Sequence, residues 1–399
     1  MARKPDIIKK VVLKNGATRY RFRLGLGIKP NGKVDQRTFT FDTLKEAQNE
    51  LSRLRTENSQ GTLVMPNRKL TVAEYMTEWL ETKRSKKPST HQGYVDALAI
   101  VIEHYGNLPL QSLDSPHLEK VKADMLSGKA RKVGTKGKPL ANRTVNLMLT
   151  LVTMALKVAV KRRLVPYNVG ELVDRLPLDH TAAEERGAWQ TDDALMFLRH
   201  VREDRLYAAW LLALLGLRRG EVLGLRWEDV DFTGDKAKQR KLPPGTPSLR
   251  VAQNRVYVRG TVHTGTPKGR GRSRSLPMPE VVITALKEHQ RRQEEEKKTA
   301  GRDYFQTGLV FVNEIGEGYN PDSHSDRFNV LTKEAPVPRI PLHGARHCAA
   351  SLLGDMGFPD VVVAAWLGQS QITVTHGYQH AMAERLRSAG DALGEALAI

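Results

Sequence analysis

Cysteine is almost missing from this chain: Cys348 is the only one in 399 residues. A single thiol closes no internal disulfide and builds no cysteine-based zinc cluster. The 12 histidines are scattered, without a His-x-x-x-His pair or an acidic cluster at metal-ligand spacing. Unbroken apolar stretches are short, none reaching 18 residues, so no membrane-spanning helix is expected. The opening MARKPDIIKKVV lacks the apolar stretch of a signal peptide, and cytoplasmic residence is the expectation. Acidic residues are in short supply too. Asp and Glu number 44 against 63 Lys and Arg, for a net charge of +19 and a pI of about 9.9. That imbalance points to a polyanionic partner, nucleic acid ahead of an anionic membrane. The length gives room for two or three domains.

Basic residues dominate the first 64 positions, where 14 Lys and Arg face 6 Asp and Glu. Arg19-Tyr20-Arg21-Phe22-Arg23-Leu24 alternates at strand period, with Tyr20, Phe22 and Leu24 on one face and Arg19, Arg21 and Arg23 on the other. Lys29-Pro30-Asn31-Gly32 signals a turn, and Arg37 to Phe41 reads as the returning strand of a hairpin. Thr43 and Glu46 make a capping box that opens a helix. A basic β-ribbon fits a DNA major groove, so the arginine face is a candidate DNA reader. Residues 58–69 read as a linker.

Four helices follow. Thr71 and Glu74 form a second capping box, ahead of an apolar stripe of Val72, Tyr75, Met76, Trp79 and Leu80. Lys83, Arg84, Lys86 and Lys87 end that helix at Pro88, a positive cluster that suits a helix C-terminus. A second helix is expected from about Thr90 to His104, and a third after Ser115-Pro116. A long one runs from Arg143 to Arg163, ending in Lys161-Arg162-Arg163. Residues 174–185 look like a second linker, after which Thr191 is read as an N-cap. Leu206 to Leu217 is nearly all apolar, hence a buried helix. Strand-like runs occupy 249–251, 255–262 and 309–312. Between Lys236 and Ser275 stand 11 Lys and Arg and no acid, where a solvated sheet would interleave signs. The end of the chain, 381–399, carries a stripe of Met382, Leu386, Ala389 and Leu393 near helical spacing. No internal repeat is present.

The chemistry concentrates in Arg339 to His380. His343 and Arg346 stand three apart at a helix start, and so share one face. Leu367-Gly368 closes the next helix, and Tyr378 follows. Upstream, Gly216-Leu217-Arg218-Arg219-Gly220-Glu221 brings another arginine to the end of the buried helix, and Thr266-Pro267-Lys268 lies between. Two arginines, a lysine, a histidine and a late tyrosine suit attack on a phosphodiester by a phenol. Arginine fits because its planar fork matches phosphate geometry and stays protonated.

These motifs stand in an order that resembles the tyrosine recombinases, specifically the phage-type integrases of the lambda-integrase kind. They are Gly-Leu-Arg-Arg-Gly-Glu at 216–221, Pro-Lys at 267–268, His-x-x-Arg at 343–346, Leu-Gly-x-Ser at 367–370 and Tyr378. The resemblance implies a site-specific DNA recombinase that passes through a 3′-phosphotyrosine ester. Arg218 and Arg346 would clamp the phosphate, Tyr378 would attack, and Lys268 would protonate the leaving 5′-oxygen. His343 would act as acid or base beside the tyrosine, and Glu221 would orient the cations. The family has His or Trp where this chain has Gln369, which can donate a hydrogen bond but cannot exchange a proton. His376 or His380 could compensate.

The implied architecture is α+β and multidomain. Residues 1–64 would form an arm-site DNA-binding domain, a small sheet with one helix. Residues 70–175 would form a helical core-binding domain, and 186–399 a mainly helical catalytic domain with a small antiparallel sheet. DNA contacts are expected from Arg19, Arg21, Arg23, Lys83, Arg84, Lys86, Lys87, Lys161, Arg162, Arg163, Arg270 and Arg272. The partners would be double-stranded DNA at core and arm sites, three further copies of the chain in a tetramer, and host DNA-bending and excision factors, but no membrane. The setting would be the nucleoid of a bacterial cell. Side-chain cations meet the charge, so no metal or other cofactor is expected. A short helix needs a surface to bury its stripe, and the resemblance favours a neighbouring subunit over the chain's own domain as the seat of 381–399. A type IB topoisomerase-like enzyme, or a non-catalytic DNA-binding protein of the same fold, are the alternatives.

Overall fold

The computed structural model describes residues 7–13, 16–28, 34–59, 63–64, 67–130, 137–178, 189–267, 273–369 and 379–398. The chain divides into two compact units, 1–178 and 179–399.

The first unit has two separate cores. Strands β1 (Lys9–Val12), β2 (Thr18–Ile28) and β3 (Val34–Phe41) form an antiparallel sheet in the order β1-β2-β3. Phe22 is buried, stacked on Phe39 and Phe41 at 5.2 and 5.8 Å. Helix α1 (Leu44–Ser59) lays Ala47, Leu51 and Leu54 over it. Its capping box is made: Glu46 N–H donates to Thr43 Oγ1 and Thr43 N–H to Glu46 Oε2, each at 3.2 Å. Strict alternation thus separates Phe22 from the exposed Arg21 and Arg23. β1 was not foreseen.

The second core belongs to α2 (Val72–Glu81), α3 (Pro88–Tyr105), α4 (Ser115–Leu126) and α5 (Asn142–Lys161). Pro88 does not end α2, which stops at Glu81. It starts α3 in the first turn, where a missing N–H costs nothing. Tyr75 Oη donates to the Ala155 carbonyl at 2.6 Å and ties α2 to α5. By length and composition α5 could cross a bilayer, which the search for unbroken apolar runs missed. Its Val145, Met148, Leu149, Val152, Leu156 and Ala159 are packed inside this core.

The second unit opens with Trp189 buried and α6 (Thr191–His200). The cap is Gln190 rather than Thr191, and its N–H donates to Asp193 Oδ2 at 3.1 Å. Helix α7 (Tyr207–Leu214) is buried all round, from Ala208 to Leu214, and leads into the short α8 (Arg219–Val222). Strands β4 (Val230–Asp231), β5 (Ser248–Val251) and β8 (Arg274–Pro277) form one antiparallel sheet, while β6 (Asn254–Val258) and β7 (Thr261–Gly265) pair as a hairpin. The run at 255–262, expected as one strand, is broken because Arg259 and Gly260 both take positive φ, 43° and 86°. Two such residues make the tight turn whose twist suits a hairpin. The expected strand at 309–312 makes only isolated bridges, Arg226 with Leu309 and Val312 with Gly318, although Val310, Phe311 and Val312 are buried. Helices α9 (Glu280–Ala300), α10 (Pro321–Glu334), α11 (Leu342–Asp355), α12 (Asp360–Leu367) and α13 (Gln379–Ala396) complete the unit.

The end of the chain corrects the expectation of a neighbouring seat. Ala389, Leu393 and Leu397 of the α13 segment are fully buried in the core of their own unit, with Met382 and Leu386 packed against it. Gly390 and Gly394 make this possible. A Cβ at 390 would meet the Trp366 ring at 3.3 Å, and one at 394 would meet Pro279 Cβ at 2.3 Å. Truncation after His380 should therefore lower the melting temperature of the isolated protein by roughly 10 °C or more, since each buried leucine is worth about 2–5 kcal/mol and each kcal/mol about 2–4 °C at this size. An unchanged melting curve with lost assembly on DNA would return the helix to a neighbour.

Candidate active site

The site is assembled where three turns of the second unit meet. The first follows α7. Gly216 takes φ +95°, and a Cβ there would lie 2.6 Å from Leu367 Cδ2, so only glycine fits the turn. The next residues place Arg218 as the cap of α8. Its N–H donates to Glu221 Oε2 at 3.0 Å and its Nη1 to Glu221 Oε1 at 2.8 Å. Gly220 lets α8 press on β6, because a Cβ would sit 2.4 Å from the Arg255 carbonyl oxygen.

From the other side comes Arg274 of β8. Its Nη1 donates to Glu221 Oε1 at 3.1 Å and its Nη2 to Oε2 at 2.8 Å. Glu221 is 1% exposed, and each of its oxygens accepts two hydrogen bonds, one from Arg218 and one from Arg274. That fills the acceptor capacity of a carboxylate. Burial alone would raise the pKa of Glu221. The Arg274 fork and the Arg218 donors outweigh it and hold the carboxyl at about 2.

Arg346, five residues into α11, is 5% exposed. Its Nη1 donates to the Gly216 carbonyl and its Nη2 to the Leu367 carbonyl, the latter at 2.5 Å. Burial first, then the charges of Arg218 and Arg274, push its pKa down to about 10, against the pull of Glu221. It is still a cation at neutral pH.

The third turn is the end of α12, and it organises the other two. The Trp366 carbonyl accepts from Arg274 Nε at 3.1 Å, the Leu367 carbonyl from Arg346, and the Gly368 carbonyl from Arg218 Nη2 at 3.4 Å. Three successive carbonyls at a helix C-terminus thus take three different arginines. These carbonyls have no partner inside the helix, and they carry the negative end of its dipole. Trp366 Nε1 donates to the Leu215 carbonyl at 2.7 Å and fixes α12 to the first turn. Gly368 closes α12 with φ +63°, and a Cβ there would lie 2.9 Å from the Arg274 guanidinium. Gln369 follows, exposed, its N–H donating to the Ala364 carbonyl at 2.9 Å.

The three guanidinium groups and the one carboxylate leave a net charge of two positive. A phosphodiester carries one negative charge and its pentacoordinate transition state two, so the cluster matches the transition state better than the ground state. His343 lies exposed in the first turn of α11, its ring 5.1 Å from that of His347 and edge-on to it. Tyr319 and Tyr304 are poorly suited to attack. Burial foremost raises the pKa of Tyr319, whose hydroxyl accepts from Arg205 at 3.0 Å; burial likewise raises Tyr304. Lys268, Arg270, Arg272, His376 and Tyr378 lie outside the described residues, as does the side chain of His380.

Motif reading brought Arg218, Glu221 and Arg346 together but passed over Arg274 as one basic residue among several. The signal was available. In the β5–β8 register Arg274 pairs with Val251 and Leu276 with Leu249, so Arg274 shares the inward face with a buried leucine, and an inward arginine needs a partner. The other expected contacts are on the surface. Arg19 pairs with Asp42, Arg84 with Glu81 and Arg162 with Glu78, while Lys83 lies 4.9 Å over the Trp79 ring. Exposed pairs of this kind are worth about 0–1 kcal/mol, so they leave these cations available to phosphate. Lys86, Lys161 and Arg163 are exposed, as is Lys87.

An arginine cluster on a helix end suits a phosphoryl transition state, and the comparisons give the class as tyrosine recombinase. Residues 193–385 match the phage integrase family. A tyrosine recombinase XerC-like protein of Caldanaerobacter subterraneus subsp. tengcongensis is 27% identical, covering 99% of each chain. The Tn1549 transposon integrase in complex with transposon right end DNA has a TM-score of 0.56 at 20% identity, over 79% of this chain and 99% of that one. A lambda integrase tetramer bound to a Holliday junction has a TM-score of 0.54 at 14% identity, over 94% and 98%. At those identities the two structures speak for the fold. The chain carries the phage integrase family's domain over residues 193–385. It is a site-specific tyrosine recombinase, an enzyme that cleaves and rejoins DNA.

Proposed function

We propose that this recombinase integrates and excises a phage or other mobile element, cutting each strand with Tyr378 to leave a 3′-phosphotyrosine ester and a free 5′-hydroxyl. The observation that carries the reading is the cluster of Arg218, Arg346 and Arg274 on Glu221 and the end of α12. In this scheme Arg218 and Arg346 hold the non-bridging oxygens, and Gln369 adds a neutral donor. Lys268 gives a proton to the departing 5′-oxygen, and His343 takes the phenolic proton of Tyr378 as the P–O bond to tyrosine forms. The 5′-hydroxyl of a partner strand then attacks the ester, forms the new backbone bond and frees the phenol. The ester conserves the energy of the original bond, so rejoining draws on no ATP. Side chains supply the charge, and the scheme calls for no metal.

The substrate is double-stranded DNA, and the working form is a tetramer on two duplexes. The lambda integrase neighbour, a tetramer on a Holliday junction, supports that reading, as does the net charge of +19. Residues 1–64 read the arm sites, 70–175 the core site, and 186–399 perform the chemistry. Host DNA-bending and excision factors set direction, and the bacterial nucleoid is the place of action.

The test is a nicked duplex carrying the attachment site, on which the short strand diffuses away after cleavage and traps the protein. A covalent adduct whose peptide map places DNA on Tyr378, together with joining of two different duplexes, is the expected result. Relaxation of supercoils without joining would favour the topoisomerase-like alternative, and binding without any adduct a non-catalytic protein. A second prediction concerns the arginine face of β2. Deletion of residues 1–64 should leave cleavage of a nicked core site intact and impair integration between full attachment sites. A truncated protein that integrates as well as the whole chain would give that sheet another task.

A further inference from the structure

The stretch from Lys236 to Ser275 is basic beyond what the catalytic cluster uses. Arg274 turns inward to Glu221. Its neighbour Ser275 and the paired Arg250 take the opposite face of the β5–β8 sheet. Across that face lies the loop 232–247, which joins β4 to β5. Loop and sheet enclose a cleft of about 590 Å³, lined by Lys236, Arg240, Lys241, Arg250, Ser273 and Ser275 with Glu228 at the rim.

The loop is a folded element. Asp231 gathers it, Oδ1 accepting from Gly234 N–H at 3.0 Å and Oδ2 from Lys236 N–H at 2.8 Å. Its two ends touch at glycine: a Cβ on Gly234 would lie 2.3 Å from the Gly245 carbonyl carbon. Ala237 and Leu242 are buried as anchors. Between the anchors the cations are aimed. Arg240 Nη1 donates to the Ser248 carbonyl at 2.7 Å and to its hydroxyl at 3.1 Å. Arg250 Nε donates to the buried Asp229 at 2.8 Å. Lys236 Nζ reaches the Glu228 carbonyl at 2.9 Å, and Lys241 takes a positive φ of 57° within the loop. The rim acid Glu228 is already paired with Arg226 at 2.6 Å. Burial depresses the pKa of Arg240, against the pull of Asp231 and Asp229, and the charge of Arg250 adds to the depression.

We infer that this cleft binds the phosphate backbone of duplex DNA away from the phosphodiester being cut, on the face of the sheet opposite the arginine cluster. It rests on the reading of the protein as a DNA recombinase. Its walls are cationic and polar, with no apolar floor for a base or a hydrophobic ligand. Serines and guanidinium groups suit successive phosphates.

The test replaces both exposed lysines, Lys236→Gln with Lys241→Gln, and leaves Arg240 on its structural partners. A control double variant, Lys298→Gln with Lys333→Gln, removes the same charge from helices elsewhere in the unit. Affinity for a long duplex is measured against salt. The slope of log affinity on log salt should fall by about 2 in the cleft variant, at ~0.9 per phosphate contact, and stay at the wild-type value in the control. An equal fall in both would reduce the effect to net charge and overturn the proposal, as would an unchanged slope in the cleft variant. Inorganic phosphate supplies a further arm: wild-type stabilisation by millimolar phosphate that the cleft variant loses, with no change in the duplex slope, would assign the cleft to a small anion instead. Failure of the underlying reading looks different, since the wild-type protein itself would then bind duplex without a steep salt response and form no adduct. Equal melting temperatures of the three proteins confirm that the loop still folds.

Discussion

Tyr378→Phe should abolish covalent attachment to DNA and strand joining altogether while leaving duplex affinity unchanged. The substitution removes one oxygen, and every cation proposed to hold phosphate remains. A free phenol has a pKa near 10, so only about a thousandth is ionised at pH 7. In the proposed scheme the net positive cluster of Arg218, Arg346 and Arg274 would favour the phenolate, and His343 would take the proton during attack. Two rival phenols are poor substitutes for the lost oxygen: Tyr319 is tied to Arg205, and burial raises the pKa of both Tyr319 and Tyr304. The measurement is adduct yield on a nicked site beside equilibrium binding to the intact one. Residual joining by the phenylalanine variant would move the nucleophile elsewhere, and a large loss of binding would show the hydroxyl to be structural.

What could be read ahead of the structure divides along a physical line. Local rules worked where a pattern has one outcome. The alternation at 19–24, the boxes Thr43/Glu46 and Thr71/Glu74, and the apolar helix before Arg218 all emerged as expected. Rules failed where a residue has two uses. Pro88 was read as ending a helix that has already stopped at Glu81, and instead starts the next, and Gly260 was taken as part of a strand although beside Arg259 it makes the turn. The run 309–312 is apolar because it is buried, with no strand alongside it beyond single bridges. The tail stripe was correctly apolar but wrongly addressed. Periodicity gives the face and not the partner, and Gly390 and Gly394 become informative only when Trp366 and Pro279 are seen against them. In the site, the ordered motifs located Arg218, Glu221 and Arg346. The carbonyl triplet of Trp366, Leu367 and Gly368 belongs to backbone geometry, which residue type does not reveal.

Glu221→Gln should cut the rate of adduct formation by about 10²–10³, the cost of one misplaced preorganised donor, with duplex affinity little changed. The carboxylate now satisfies four donors from Arg218 and Arg274. An amide offers one acceptor oxygen and two N–H groups, which would point at guanidinium groups. Without the negative charge Arg346 would lose the attraction of Glu221 that keeps its pKa from falling further, since burial and its two arginine neighbours already bring it to about 10. The same variant should change acid stability with a definite sign. A carboxyl held at about 2 when folded, against 4.5 when free, contributes stability that is full above 4.5 and lost as pH falls from there through 2. The contribution is roughly 3 kcal/mol at 1.36 kcal/mol per unit, so the wild-type stability should fall more steeply in that window than that of the glutamine variant. Arg274→Gln should give a similar loss, because it breaks a buried ion pair, typically a cost of about 3–5 kcal/mol, and leaves Glu221 only the two Arg218 donors. The double variant should be little worse than either alone, since the two act as one unit. Arg274→Lys restores the charge without the fork, and should recover stability more than rate. Additive losses in the double variant, or a lysine that restores the full rate, would show that Arg274 and Glu221 do not position the arginines together.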